Sequence, residues 1–140
     1  MKQKRSEVQT GRIGELYAAA IIEELGWQTA FCQQTGVDLL CWKDNKFYRC
    51  QVKASTFHTC LNRLQFHFGI GRIKRKPTRE DYDFACCVSV PHRRAYFLPI
   101  TNVDKLTHSR RGQFFEQPDV ESDTFSKTIR ILDELYRKTR

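Results

Sequence analysis

A tight turn between two alternating segments confines the middle of this chain to a β-hairpin. From Gly36 to Ser55 it reads GVDLLCWKDNKFYRCQVKAS, and the turn chemistry sits in Lys43-Asp44-Asn45-Lys46. The pattern predicts strands over Gly36–Trp42 and Lys46–Ala54 with Asp44-Asn45 as a two-residue loop. Such a loop sets Lys43 opposite Lys46, and the same register carried down the ladder sets Asp38 opposite Gln51. Side chains alternate along a strand, so Phe47, Arg49, Gln51 and Lys53 share one face and Tyr48, Cys50, Val52 and Ala54 the other. Directly opposed Cβ atoms lie about 5 Å apart. One carboxylate, one amide oxygen and one lysine therefore converge on a small patch. Register is the condition, because a one-residue bulge would turn Asp38 to the other face.

Around the hairpin the pattern predicts an α/β chain. Ser6-Glu7-Val8-Gln9 has capping-box spacing and opens a helix over about Glu7–Leu25 that stops at Gly26. Ile13, Leu16, Tyr17 and Ala20 form its expected apolar stripe, with Glu15 on another stripe beside Ala18, Ala19 and Ile22. Strands are expected at Trp27–Gln33, at Leu64–Phe68 with Leu64, Phe66 and Phe68 inward, at Asp83–Val90 and at Ala95–Ile100. Asn102–Leu106 reads as a short helical turn, Ser109–Val120 as a loop. A last helix is expected over Thr124–Lys138, capped by Asp123 and buried along Phe125, Ile129, Leu132 and Tyr136. The 140 residues suggest one domain, 1–140, around one core.

The net charge of +8 suits polyanionic partners. Gly69–Arg79 concentrates Arg72, Lys74, Arg75, Lys76 and Arg79 in a glycine-flanked loop, a candidate for phosphate contact, and Arg110 and Arg111 are further candidates. The glycines do not match a phosphate-binding loop with a Lys-Ser/Thr ending. The basic arm Met1–Arg5 leads into a polar segment rather than a signal peptide, and no apolar run approaches the about 20 residues that span a bilayer. The six cysteines (Cys32, Cys41, Cys50, Cys60, Cys86, Cys87) show no Cys-x-x-Cys spacing. They read as free thiols of a reducing cytoplasm, with Cys41, Cys50, Cys86 and Cys87 buried in strands. His67 can touch DNA or take a catalytic role, but the simpler reading for it, as for His58, His92 and His108, is a solvated histidine.

Asp38 followed by Gln51-Val52-Lys53 resembles the PD-(D/E)xK nuclease superfamily, in which an Asp on one strand precedes Glu/Asp-x-Lys on the next. Gln in the second acidic position is a variant met among methyl-directed restriction nucleases and intron-encoded homing endonucleases. Gly11-Arg12-Ile13-Gly14-Glu15 resembles the Gly-x-x-Gly-Glu of the family's first helix, and the likeness extends to about Ile100. The resemblance implies a restriction-endonuclease-like fold, a mixed central sheet flanked by helices, and Mg²⁺-dependent endonucleolytic cleavage of DNA, with Mn²⁺ as a substitute. The implied catalytic residues are Asp38, Gln51, Lys53 and Glu15. The implied metal ligands are Asp38, Gln51, the Val52 carbonyl and Glu15, an oxygen set suited to Mg²⁺. Such folds often pair to cut both strands, so a homo-oligomer is expected. The alternative is a non-catalytic nucleic-acid-binding module that keeps the fold, since Gln51 lacks a carboxylate's charge.

Overall fold

The computed structural model describes residues 6–56 and 62–137. The expectations for Met1–Arg5, His58, Cys60 and Lys138 lie outside them. A helix α1 (Glu7–Glu24) is followed by strands β1 (Gln28–Gln34), β2 (Val37–Lys43), β3 (Lys46–Ser55), β4 (Arg63–His67), β5 (Phe84–Ser89), β6 (Arg94–Pro99) and β7 (Thr107–Arg111), then helix α2 (Val120–Arg137). Single 3₁₀ turns flank β7 at Ile100–Asn102 and Gly112–Glu116. Five strands form a mixed sheet in the order β1-β2-β3-β5-β6, and β4 and β7 form a separate two-stranded ribbon.

The predicted hairpin is the hinge of this topology. Asp44 takes φ 55°, the left-handed conformation that a two-residue loop demands. Lys43 pairs with Lys46 and Leu39 with Cys50, so the ladder keeps the expected register. The irregularity of the sheet falls elsewhere, between Phe31 and Gln34 in the β1–β2 ladder. β3 then pairs in parallel with β5, Cys50 opposite Phe84 and Lys53 opposite Cys87. A parallel pair needs a crossover, and this one runs through β4, which packs on the sheet face opposite the helices, and the basic loop.

Two cores cover the sheet. On one face Leu39, Cys41, Cys50, Val52, Cys86, Val88 and Phe97 pack under α1 and α2. On the other Ala85, Cys87 and Tyr96 pack under the inward side of the ribbon, Leu64 and Phe66, and against Phe68 and Phe115. β5 lies between them and is buried at every position. Among the described residues no helix is long and apolar enough to cross a membrane.

Several element boundaries and faces differ from the sequence reading. The capping box closes as expected, Ser6 Oγ accepting from Gln9 N. The buried line of α1, however, is Gly14, Ala18 and Ile22, while Leu16 is 48% exposed. Close approach decides this: a Cβ on Gly14 would lie 2.7 Å from Ala54 Cβ, so α1 sits too near β3 for large side chains there. β7 occupies part of the expected Ser109–Val120 loop, and the turn expected at Asn102–Leu106 comes at Ile100–Asn102. α2 begins at Val120 rather than after an Asp123 cap. Its first turn is held by tertiary bonds, Arg94 Nε donating to Glu121 Oε2 at 2.7 Å and Phe97 N to Thr124 Oγ1 at 3.1 Å. His108 is buried rather than solvated, edge-on to Phe68.

Candidate functional site

Asp38 leaves β2 on the face it shares with Gln51 and Lys53 of β3. Gln51 Nε2 donates to Asp38 Oδ2 at 2.7 Å, and the Val52 backbone N–H donates to the same oxygen at 2.8 Å. The two bonds fix the carboxylate against the ladder that holds it. Burial pushes the Asp38 pKa up, opposed by the Val52 amide, the Lys53 charge and the Gln51 amide. Burial pushes Lys53 down, opposed by Asp38 and reinforced by the nearby positive charge of Lys74. The Lys53 ammonium stands 6.0 Å from the centre of the Phe68 ring. A half-buried lysine held between one carboxylate and one cation is poised to hydrogen-bond an anionic oxygen.

Glu15 projects from α1 close enough to feel Asp38. Its pKa is raised first by burial and next by the Asp38 charge, with Arg12 pulling it down. The Gly14–Ala54 approach brings the helix, and with it Glu15, up to the sheet. The second glycine of Gly-x-x-Gly-Glu thus has a packing reason. Gly11 has none, for a Cβ there would meet nothing within 4 Å. Two carboxylates and an amide are oxygen donors of the kind a hard divalent cation takes. Among the described residues no group of three or more His, Cys, Asp and Glu gathers as a metal cluster.

The basic loop divides. A bridge between Ile70 and Arg75 closes its turn. Arg72, Lys74 and Lys76 are exposed, and Lys74 lies against Gly69 near Lys53. Arg75 is instead committed to Asp81 by a two-pronged ion pair at 2.9 and 3.0 Å. Arg79 leans over the Tyr136 ring of α2, 5.8 Å from its centre. Arg110 turns over the rings of Tyr96 and Phe114, while Arg111 is exposed.

One structural group escaped the sequence reading. Asp83, 5% exposed, accepts from Arg49 N at 2.7 Å and Arg49 Nε at 3.2 Å, and from the Tyr136 hydroxyl. Arg49 also donates to the carbonyls of Arg79 at 2.6 Å and Glu80 at 3.1 Å. It thereby ties the end of the basic loop to β3, two residues before Gln51. An arginine alternating with Gln51 and Lys53 gave a hint of a shared face, but its partners lie some thirty residues away.

The sheet order, the parallel β3–β5 step and the two helices on one face make a mixed α/β fold. The solved structure of a bacterial homing endonuclease, I-Ssp6803I, has this fold, with a TM-score of 0.71 over 97% of this chain and 99% of that one, at 15% identity. No protein-family model matches the sequence, and neither does any curated protein.

Proposed function

We propose that this chain is a metal-dependent endonuclease that hydrolyses DNA phosphodiester bonds. The observation that supports it most is the convergence of Asp38, Gln51 and Lys53 through an unbroken hairpin register. The fold shared with a homing endonuclease is consistent with it. Asp38 and Glu15, with the Gln51 amide oxygen and the Val52 carbonyl, would hold Mg²⁺ or Mn²⁺. Such an ion supplies Lewis acidity toward the phosphate and acidifies an attacking water. Lys53 orients that water and stabilises negative charge developing on the phosphate oxygens. Its lowered pKa leaves it more readily able to exchange a proton than an exposed lysine. Arg72, Lys74 and Lys76 would hold neighbouring phosphates. Cutting both strands takes two such sites, hence a homo-oligomer.

Incubation of supercoiled plasmid with Mg²⁺ or Mn²⁺ tests this. Nicked or linear product is expected from the wild type and none from Asp38→Ala, which should bind DNA at least as well in the absence of metal. Wild-type rates in the variant would sink the assignment. A second reading draws on Gln51 presenting its nitrogen to Asp38. It holds that the module binds nucleic acid without cutting. Tight binding with no cleavage at any metal concentration would favour it.

A further inference from the structure

The β4–β7 ribbon has an inward side that belongs to the core and an outward side made of polar residues. Arg63 pairs with Arg111, Gln65 with Ser109 and His67 with Thr107, and these pairs share the outward face. All six side chains are polar, two are arginines and none is acidic. Gln65, His67, Thr107 and Arg111 are exposed. Cross-strand bonds stiffen the face: Arg63 Nη1 donates to Ser109 Oγ at 3.2 Å, and His67 Nδ1 lies 3.1 Å from Thr107 Oγ1. The inward side is locked, Phe66 edge-on to Tyr96 at 5.7 Å and Arg110 over Tyr96 at 4.9 Å.

We propose that this outward face lies in the major groove of duplex DNA and supplies the protein's sequence preference. The inference rests on the DNA-cleaving reading above and extends it to specificity. A major groove about 12 Å wide accepts a two-stranded ribbon. Alternate residues on a strand stand about 6.8 Å apart, close to two base-pair steps, so the face addresses a short run of base pairs. The side chains suit base edges: arginine takes O6 and N7 of guanine, glutamine takes N6 and N7 of adenine, and the hydroxyls serve either.

Continuity with the site fixes the occupant. Phe68, one residue past β4, carries Lys53 over its ring, and the next residue, Gly69, opens the basic loop and touches Lys74. A duplex with one phosphate at Lys53 and others along Arg72, Lys74 and Lys76 therefore meets the ribbon as the adjoining surface. The buried Asp83–Arg49 knot holds the far end of the same loop to β3.

The test is selection from a randomised duplex library in EDTA, comparing wild type with Gln65→Ala and Arg111→Ala, both exposed and harmless to packing. Wild type should enrich a motif, and each variant should lose roughly ten- to hundredfold discrimination at one base pair while keeping the rest. Methylation of guanine N7 within that motif should block wild-type binding. An unchanged motif in both variants, binding without any motif, or indifference to N7 methylation would overturn the ribbon's role and leave the nuclease reading standing. Absence of DNA binding would overturn both.

Discussion

At Gln51 a neutral amide stands 2.7 Å from Asp38, a distance at which a second carboxylate would meet strong repulsion unless a cation lay between them. The amide instead satisfies the acid through its N–H₂. In the proposed metal site its oxygen would bring no charge, at a cost in metal affinity. Gln51→Glu should therefore lower the Mn²⁺ concentration needed for cleavage and make thermal stability more metal-dependent than in the wild type. Gln51→Leu keeps the bulk without the oxygen and should raise the metal requirement sharply. Because the two side chains touch, a cycle of Asp38→Asn, Gln51→Leu and the pair on Mn²⁺ affinity should show coupling above about 0.5 kcal/mol. Strict additivity would mean that the two residues do not share an ion. This pair was legible from the sequence because one local feature, a two-residue turn, fixes every pairing above it. Arg49 was not, because its partners Arg79, Glu80 and Asp83 are remote in sequence and nothing in RCQ marks it as a clamp.

Among the elements, α1 was placed correctly and its face only in part, since Ile13 and Tyr17 pack against the core but Leu16 and Ala20 do not, and both results have the same origin. Capping is local, so Ser6 and Gln9 announce the start. Burial is tertiary, and the line facing β3 is chosen by closeness rather than hydrophobic weight: Gly14, Ala18 and Ile22 go in while Leu16 stays half-exposed. Gly14→Val should consequently force α1 off β3, destabilising the protein by about 1–3 kcal/mol in denaturant titration. Since Glu15 rides on that contact, the variant should also lose cleavage beyond its loss of folded protein. Unchanged stability would show that the sheet absorbs the extra methyls. β7 escaped notice because THSRR is polar and its partner β4 lies some forty residues earlier. The basic loop supplies the pH test. Asp81, tied to Arg75 and the Thr78 amide, has its pKa pulled down to about 2. A depressed acid stabilises the fold above its unfolded pKa, about 3.9, and that contribution fades as pH falls from there through about 2. Melting temperatures of Asp81→Asn should start lower at neutral pH and converge on the wild type across that window. Parallel curves would mean the ion pair contributes nothing.

For the molecule as a whole, the net charge of +8 suits a polyanion but does not mark where one would run. The fold sorts the cations. Arg75 is neutralised by Asp81, Arg94 by Glu121, Arg49 by Asp83 and Lys46 by Asp133. Arg72, Lys74 and Lys76 remain exposed on the loop, Lys74 near Lys53. If a duplex runs there, each of the three releases counterions on binding, and the slope of log affinity against log salt should flatten by about 0.9 for each one removed. Arg75 makes the informative comparison, equal in charge and position in the sequence but spent on an internal pair. Titrations across a salt series should show Lys74→Ala and Lys76→Ala each lowering the slope by nearly one. Arg75→Ala should leave the slope nearly intact and instead loosen the loop, seen as faster amide exchange around Ile70 and Thr78. Equal slope losses in all three variants would mean that Arg75 abandons Asp81 for phosphate on binding. No loss in any of them would move the duplex off this face altogether.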